Sequence, residues 1–234
     1  MKDFLIGYTH LWYLFMIAGL YLMVPFLRKI TADRRITEYY LVLAFVFTLL
    51  VPAIRLIPLP GQSIFETILG NANICLVLGY SGIFMAGWYF ATQPLRPSAR
   101  YLIYALGAVS IALTIVLTSY LSVSSGKPNE ELYAYLLPNT FFSALAVFIG
   151  VRQIVGKRPD VFTRAWLKNL SKWSFGVYLV HIFVIIALFD LVGLTPKVLN
   201  PIVSVPIVVV CVFACSTAIS AILNRVPKLS RYIV

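Results

Sequence analysis

The chain has 234 residues, 61% of them hydrophobic and only 12% charged, with a formal net charge of +11. So little charge over so much apolar surface excludes a water-soluble globular domain. The basic excess invites a nucleic-acid partner, but its distribution removes that reading: fifteen of the nineteen Lys and Arg residues fall in alternate connections between apolar runs and four in the others. Alternation of this kind is the mark of membrane topology, with the basic side cytoplasmic.

Seven apolar runs, near 11–27, 39–57, 72–91, 101–121, 132–150, 173–194 and 202–223, are long enough to cross a hydrocarbon layer roughly 30 Å thick. Backbone polar groups in lipid must be satisfied within the element, which makes the runs helices. The short alternating segments of a transmembrane β-barrel are lacking. The expected fold is therefore an all-α, polytopic bundle of about seven transmembrane helices. It forms a single membrane domain, 1–234, with the N-terminus outside and the C-terminus cytoplasmic. Met1-Lys2-Asp3 precedes the first run without a cleavage site, so no removable signal peptide is expected. An external start without one reads as the remainder of a longer protein that has lost an odd number of upstream helices.

In chain order, the first span places His10 at the outer interface beside an aromatic belt of Tyr8, Trp12 and Tyr13, and Arg28-Lys29 at the inner edge. Arg55 ends the second span, where snorkelling to headgroups is the favoured reading over a functional one. In the third, Gly79, Gly82 and Ala86 share a face and would admit a neighbouring helix closely. Thr114, Thr118 and Ser119 in the fourth can bond their own helix backbone. Pro138 is expected to bend the fifth, with Tyr135, Asn139 and Ser143 on one face, as a packing device or a cavity wall. The longest loop, 152–172, carries six basic residues around Trp166. The positive-inside rule accounts for them; contact with anionic membrane lipids or with the phosphates of a soluble donor is the alternative.

The sixth span opens Leu170-Ser-Lys-Trp-Ser-Phe-Gly-Val-Tyr-Leu-Val-His-Ile-Phe183. Nine residues past Lys172, His181 lies ~13 Å along the helix, near the middle of the membrane. An ionisable group there is a site candidate by default. Ser174, Tyr178 and His181 share one helical face, which serves either as a site or as an interhelical hydrogen-bond seam. Asp190, nine residues beyond His181 and on the opposite face, cannot pair with it in the same helix. The last span has Pro201 and Pro206 near its start. Cys75, Cys211 and Cys215 lie inside apolar spans and are assigned to packing. With two histidines and few carboxylates, no metal site is expected. His10, Arg55, Asn71, Asn73 and Asn139 all fall in the outer half with His181 deeper, and if they converge they line a cavity open to the outside.

Three segments resemble the bacterial acyltransferase-3 family. His10-Leu-Trp-Tyr-Leu with Gly19-Leu-Tyr-Leu-Met-Val-Pro-Phe-Leu-Arg28 is similar to its H-L-W-F-L and G-L-Y-L-x-x-P-x-L-R helix. Gly79-Tyr-Ser-Gly-Ile-Phe-Met-Ala-Gly-Trp-Tyr resembles its G-Y-x-x-Y-F-x-x-G-Y-Y helix, and Ser171 to His181 its late S-x-x-S-F-G-I-Y-L-x-H segment. The resemblance implies an integral membrane O-acyltransferase of the bacterial plasma (inner) membrane. Its donor would be acyl-CoA, acetyl-CoA in the commonest case, with no bound cofactor. Its acceptor would be a carbohydrate such as a surface polysaccharide. The family's catalytic His, on its first helices, has no counterpart here, as if about three helices were missing, so the catalytic residue stays unknown. O-acylation needs a base for the hydroxyl proton and a donor for the oxyanion. The candidate pocket residues are His10, Trp12, Arg55, Asn139, Ser174, Tyr178 and His181, in supporting roles. Other readings are a small transporter or flippase for a lipid-linked glycan or solute, or an inactive remnant that acts with a missing N-terminal fragment or as a homo-oligomer.

Overall fold

Every described element is helical, as a hydrocarbon solvent demands. The computed structural model describes residues 12–56, 74–157, 164–195 and 200–225. The chain forms two compact units, Met1–Ile154 and Val155–Val234. In the first, α1 (Trp12–Ile30) leads to α2 (Arg34–Ala44), which passes through a π-helical segment (Phe45–Leu50) into α3 (Val51–Arg55). Then come α4 (Ile74–Thr92), α5 (Pro97–Ser125), a 3-10 turn (Glu131–Tyr133) and α6 (Pro138–Lys157), whose last turn crosses into the second unit. The second unit is otherwise α7 (Ala165–Asp190) and α8 (Pro201–Leu223).

Six helical spans are long and apolar enough to cross a membrane: α1, the run Arg34–Arg55, α5, α6, α7 and α8. The seventh expected run forms α4, interrupted at Gly79 (φ −25°, ψ −120°). Gly79 is thus a break in the helix, where an added Cβ would meet open space, whereas Gly82 is the close-approach residue. A Cβ there would collide with the Ala44 Cβ of α2. Gly107 plays the same part for α5 against Ala146 and the Phe142 carbonyl of α6. Around that contact Ile103, Leu145 and Ile149 make the core, with Phe90, Tyr104 and Phe142 packed on it.

The turn between α1 and α2 is fixed by side chains. Asp33 caps α2, accepting from the Arg35 and Ile36 amides at 2.7 and 3.3 Å. The buried Thr37 hydroxyl reaches Ile30 O (3.0 Å) and Asp33 O (2.8 Å) across the same turn. Exposed rings such as Tyr21 (69%) and Phe26 (67%) on α1 mark the side that hydrocarbon covers.

Pro138 is the first residue of α6 and does not bend it. At that position its missing N–H has no intrahelical acceptor to lose, so a helix start is the low-cost place for it. Tyr135 consequently lies before the helix and does not share a helical face with Asn139. The expected basic loop 152–172 also shrinks: α6 runs to Lys157 and α7 begins at Ala165, so Lys168 and Lys172 ride on α7. Helices satisfy their own backbone and can continue past the hydrocarbon edge, which hydropathy alone does not show.

In the second unit, Ser204, Val208, Ser216 and Ser220 form a buried stripe along α8, and Gly176 and Val184 are the buried residues of α7. Ser220 Oγ donates to Trp173 O of α7 at 2.9 Å. Cys211 is half-buried and Cys215 exposed, so the serines make the seam. They are small enough for backbones to approach and polar enough to bond across.

Gly82→Val and Gly107→Val should each lower stability by about 1–3 kcal/mol through overpacking. Gly19 has open space around an added Cβ, so Gly19→Ala should be neutral or slightly stabilising. Thermal unfolding in detergent, followed by size-exclusion chromatography, measures the three side by side.

Candidate functional site

The first unit is polar at both ends and apolar between. One end is the basic one. Arg34 pairs with Glu38 (Nε to Oε1, 2.7 Å), and Glu38 Oε1 also accepts from Tyr89 OH of α4 at 2.8 Å. Arg152 of α6 donates from Nη1 to the Phe90 carbonyl at 2.7 Å and, more weakly, to that of Gln93 at 3.3 Å. These are carbonyls at the close of α4, where helix ends lack intrahelical donors and concentrate negative charge. One turn from the start of α5, Arg100 stands over the Tyr101 ring at 5.4 Å. The ends of α2, α4 and α6 are thereby tied together, and cationic groups gather on one side of the unit. The pairings between helices have no local sequence signal: Tyr89 and Glu38 are 51 residues apart, and Arg152 and Phe90 are 62.

The opposite end is aromatic. Trp12, at the start of α1, lies 5.7 Å from the Tyr80 ring and 5.2 Å from that of Tyr135, with tilts of 39° and 37°. Trp12 is 37% exposed and Tyr135 65%, so both rings keep an open face. Asn139, just inside α6, spends both amide hydrogens, donating to Thr114 Oγ1 and Leu132 O at 2.8 Å each. It ties α6 to α5 and to the turn before it. Arg55 closes α3 at this same end, half-buried. Of the seven candidate residues, Trp12, Arg55 and Asn139 therefore lie at one end of the first unit. His10, Asn71 and Asn73 lie outside the described residues.

The remaining three sit on α7 in the second unit. His181 is nine residues before the end of the helix at Asp190, deep within the span. Its Nδ1 lies 2.6 Å from Tyr178 O, and the two rings are 5.8 Å apart. A carbonyl only accepts, so Nδ1 carries a hydrogen and donates it to Tyr178 O. His181 lines an otherwise apolar groove between α7 and α8, about 310 Å³, with Val177 and Phe189 on its own helix and Val208 and Phe213 on the other. Ser174 is exposed and its hydroxyl is turned back to Ser171 O at 2.7 Å. The face expected from spacing exists, with its ring pair deep in α7 and Ser174 nearer the start of the helix. No group of three or more His, Cys, Asp or Glu that could hold a metal occurs among the described residues.

A helical membrane protein whose first unit has a basic and an aromatic end, and whose second carries a half-buried imidazole, is thus the class that the structure defines. A family model described as an acyltransferase domain matches residues 1–224. The chain belongs to this acyltransferase-3 family, and so to the membrane acyltransferases. No curated protein and no solved structure matches it.

Arg152→Leu should leave the Phe90 and Gln93 carbonyls unpaired and cost about 1–3 kcal/mol. Arg152→Lys should recover only part of that, because an ammonium does not reproduce the guanidinium's fixed fork. Melting temperatures of the two variants against the parent protein report both effects.

Proposed function

We propose that the chain transfers an acyl group, acetyl in the simplest case, from acyl-CoA to a hydroxyl of a carbohydrate-containing acceptor such as a surface polysaccharide. The observation that carries this reading is the family match over nearly the whole chain. The proposed setting is the bacterial plasma membrane, with the basic end of the first unit facing the cytoplasm. Two features of the first unit support the choice of substrates. The exposed cationic groups at one end, Arg28, Lys29, Arg35 and Arg96 among them, suit the phosphates of a coenzyme A donor. The open faces of Trp12 and Tyr135 at the other end suit the apolar face of a sugar ring.

In this reading acceptor and donor reach the reacting centre from opposite ends. The hydroxyl must lose a proton as its oxygen attacks the thioester carbonyl, while the tetrahedral oxyanion needs a donor. The imidazole of His181, in the apolar groove between α7 and α8 of the second unit, is proposed as a positioning residue. The primary base is left unassigned. Arg55 acts electrostatically, as a fixed positive charge at the aromatic end.

The test is acyl transfer from radiolabelled acetyl-CoA to a polysaccharide acceptor by the purified protein in proteoliposomes. His181→Ala should lower kcat on the order of 10²-fold, as misplacement of a reacting group does, with the melting temperature held. His181→Gln, which keeps a polar group at about the Nε2 position, should restore part of it. Trp12→Ala should raise the acceptor KM about fivefold, the scale of one aromatic contact, and leave the acetyl-CoA KM unchanged. Solute movement across the vesicle without acyl transfer would replace this reading with a transporter.

A further inference from the structure

Hydroxyls inside these spans are usually returned to the carbonyl one turn back. Thr37 bonds Asp33 O at 2.8 Å, Thr114 bonds Ser110 O at 2.8 Å, and Ser143 bonds Asn139 O at 2.7 Å. Thr48 does not. It is 2% exposed and its Oγ1 has no hydrogen-bond partner; the buried hydroxyls of Thr118, Ser216 and Thr217 have none either, and of these four it is Thr48 that lines the cavity of the first unit. Thr48 sits in the π-helical segment, where the Val51 amide reaches back five residues to Val46 O. A buried hydroxyl left in this state costs stability, and π segments of this kind concentrate at functional positions.

Thr48 lines a cavity of about 280 Å³ enclosed by α2, the π segment, α4, α5 and α6. Its other walls are hydrocarbon, among them Phe45, Ile83, Phe90, Ile103 and Phe142. The volume is about twice that of the dry, Leu/Ile/Phe-lined cavity known to take up a benzene, enough for roughly eight to ten methylenes at ~30 Å³ each, the share of a water in the liquid. Water is a poor occupant, since it needs about two to four polar partners and the wall supplies one. The fitting ligand is a flexible apolar chain carrying one hydrogen-bond acceptor. Val42, also on the wall, is 59% exposed, which opens the cavity sideways onto the face that the bilayer covers. The entrance thus faces lipid, away from the two polar ends of the unit.

We propose that this cavity binds one acyl chain of an ester-linked membrane phospholipid. The ester carbonyl accepts a hydrogen bond from Thr48 Oγ1, and the hydrocarbon runs towards Phe90 and Ile103. Thr48 is seven residues from Arg55 and fourteen from Arg34, or about 10 and 20 Å along the helix. The lipid therefore belongs to the leaflet at the Arg55 end, and its tail points to the basic end. The site is separate from acyl transfer, and its detection does not require activity.

The full chain in phosphatidylcholine nanodiscs, doped with a photoreactive phosphatidylcholine whose diazirine lies on an ester-linked or an ether-linked chain, tests this by mass-spectrometric mapping. The ester probe should label residues 41–49 and 83–90 about fivefold more than the ether probe, the preference expected of one hydrogen bond. Thr48→Val, which keeps the shape and removes the hydroxyl, should equalise the probes. Val42→Trp, a substitution at an exposed position, should block labelling by either. Equal labelling by both probes in the parent protein would overturn the carbonyl contact, and labelling indifferent to Val42→Trp would overturn the cavity. Displacement of the ester probe by octanoyl-CoA would assign the cavity to a soluble thioester and overturn the bilayer source.

Discussion

Inside the hydrocarbon layer no water is present to accept a polar group, and no hydrophobic effect presses one helix onto another. Both halves of that constraint are visible here. Helices approach through missing side chains, at Gly82 against Ala44 and at Gly107 against Ala146. They are then held by a few hydrogen bonds between helices, such as Tyr40 OH with Ser81 Oγ at 2.7 Å and Ser220 Oγ to Trp173 O at 2.9 Å. Large apolar side chains, which would build the core of a soluble protein, mostly face outward, as Leu22 (77%) and Val123 (83%) do. Stability in such a protein is carried by small residues and by paired polar ones.

The sequence displays the first half of this logic well. Length and apolarity place the spans, because partition between water and hydrocarbon depends on composition. The same measure is blind to what a residue does once inside. Pro138 reads equally as a kink or a start, and only the coil before it, which is as apolar as the helix after it, decides for the start. Gly79 and Gly82 share one motif, yet one breaks α4 and the other packs it. Cys211 and Cys215 have the spacing of a buried stripe, but the residues buried beside them are Ser216 and Ser220, about 100° and 140° around the helix from Cys215.

Site residues divide in the same way. The depth of His181 follows from counting along one helix, and its pairing with Tyr178 from the three-residue spacing. The carbonyl that its Nδ1 donates to is a backbone atom, so no side-chain pattern announces it. Asn139 was legible as an in-membrane amide but not as one whose hydrogens are both committed to Thr114 and Leu132. Glu38 with Tyr89, and Arg152 with the end of α4, join segments remote in sequence. Thr48 is the extreme case. It lies in a π-wound segment of six residues, Phe45–Leu50, whose composition is that of any apolar helix.

Polar groups in this protein obey one rule. In a medium of low dielectric a single misplaced dipole is costly and a single well-placed one is strong. Most hydroxyls are therefore silenced, returned to their own backbone, as Thr37, Thr114 and Ser143 are. A hydroxyl that escapes this treatment while fully buried is the more informative, because folding has left its bonding capacity to something else. His181 conforms in the same way at Nδ1, which is committed to Tyr178 O. The bonding capacity that the fold leaves uncommitted, more than the count of polar residues, separates the chemically active positions from those that only hold helices together.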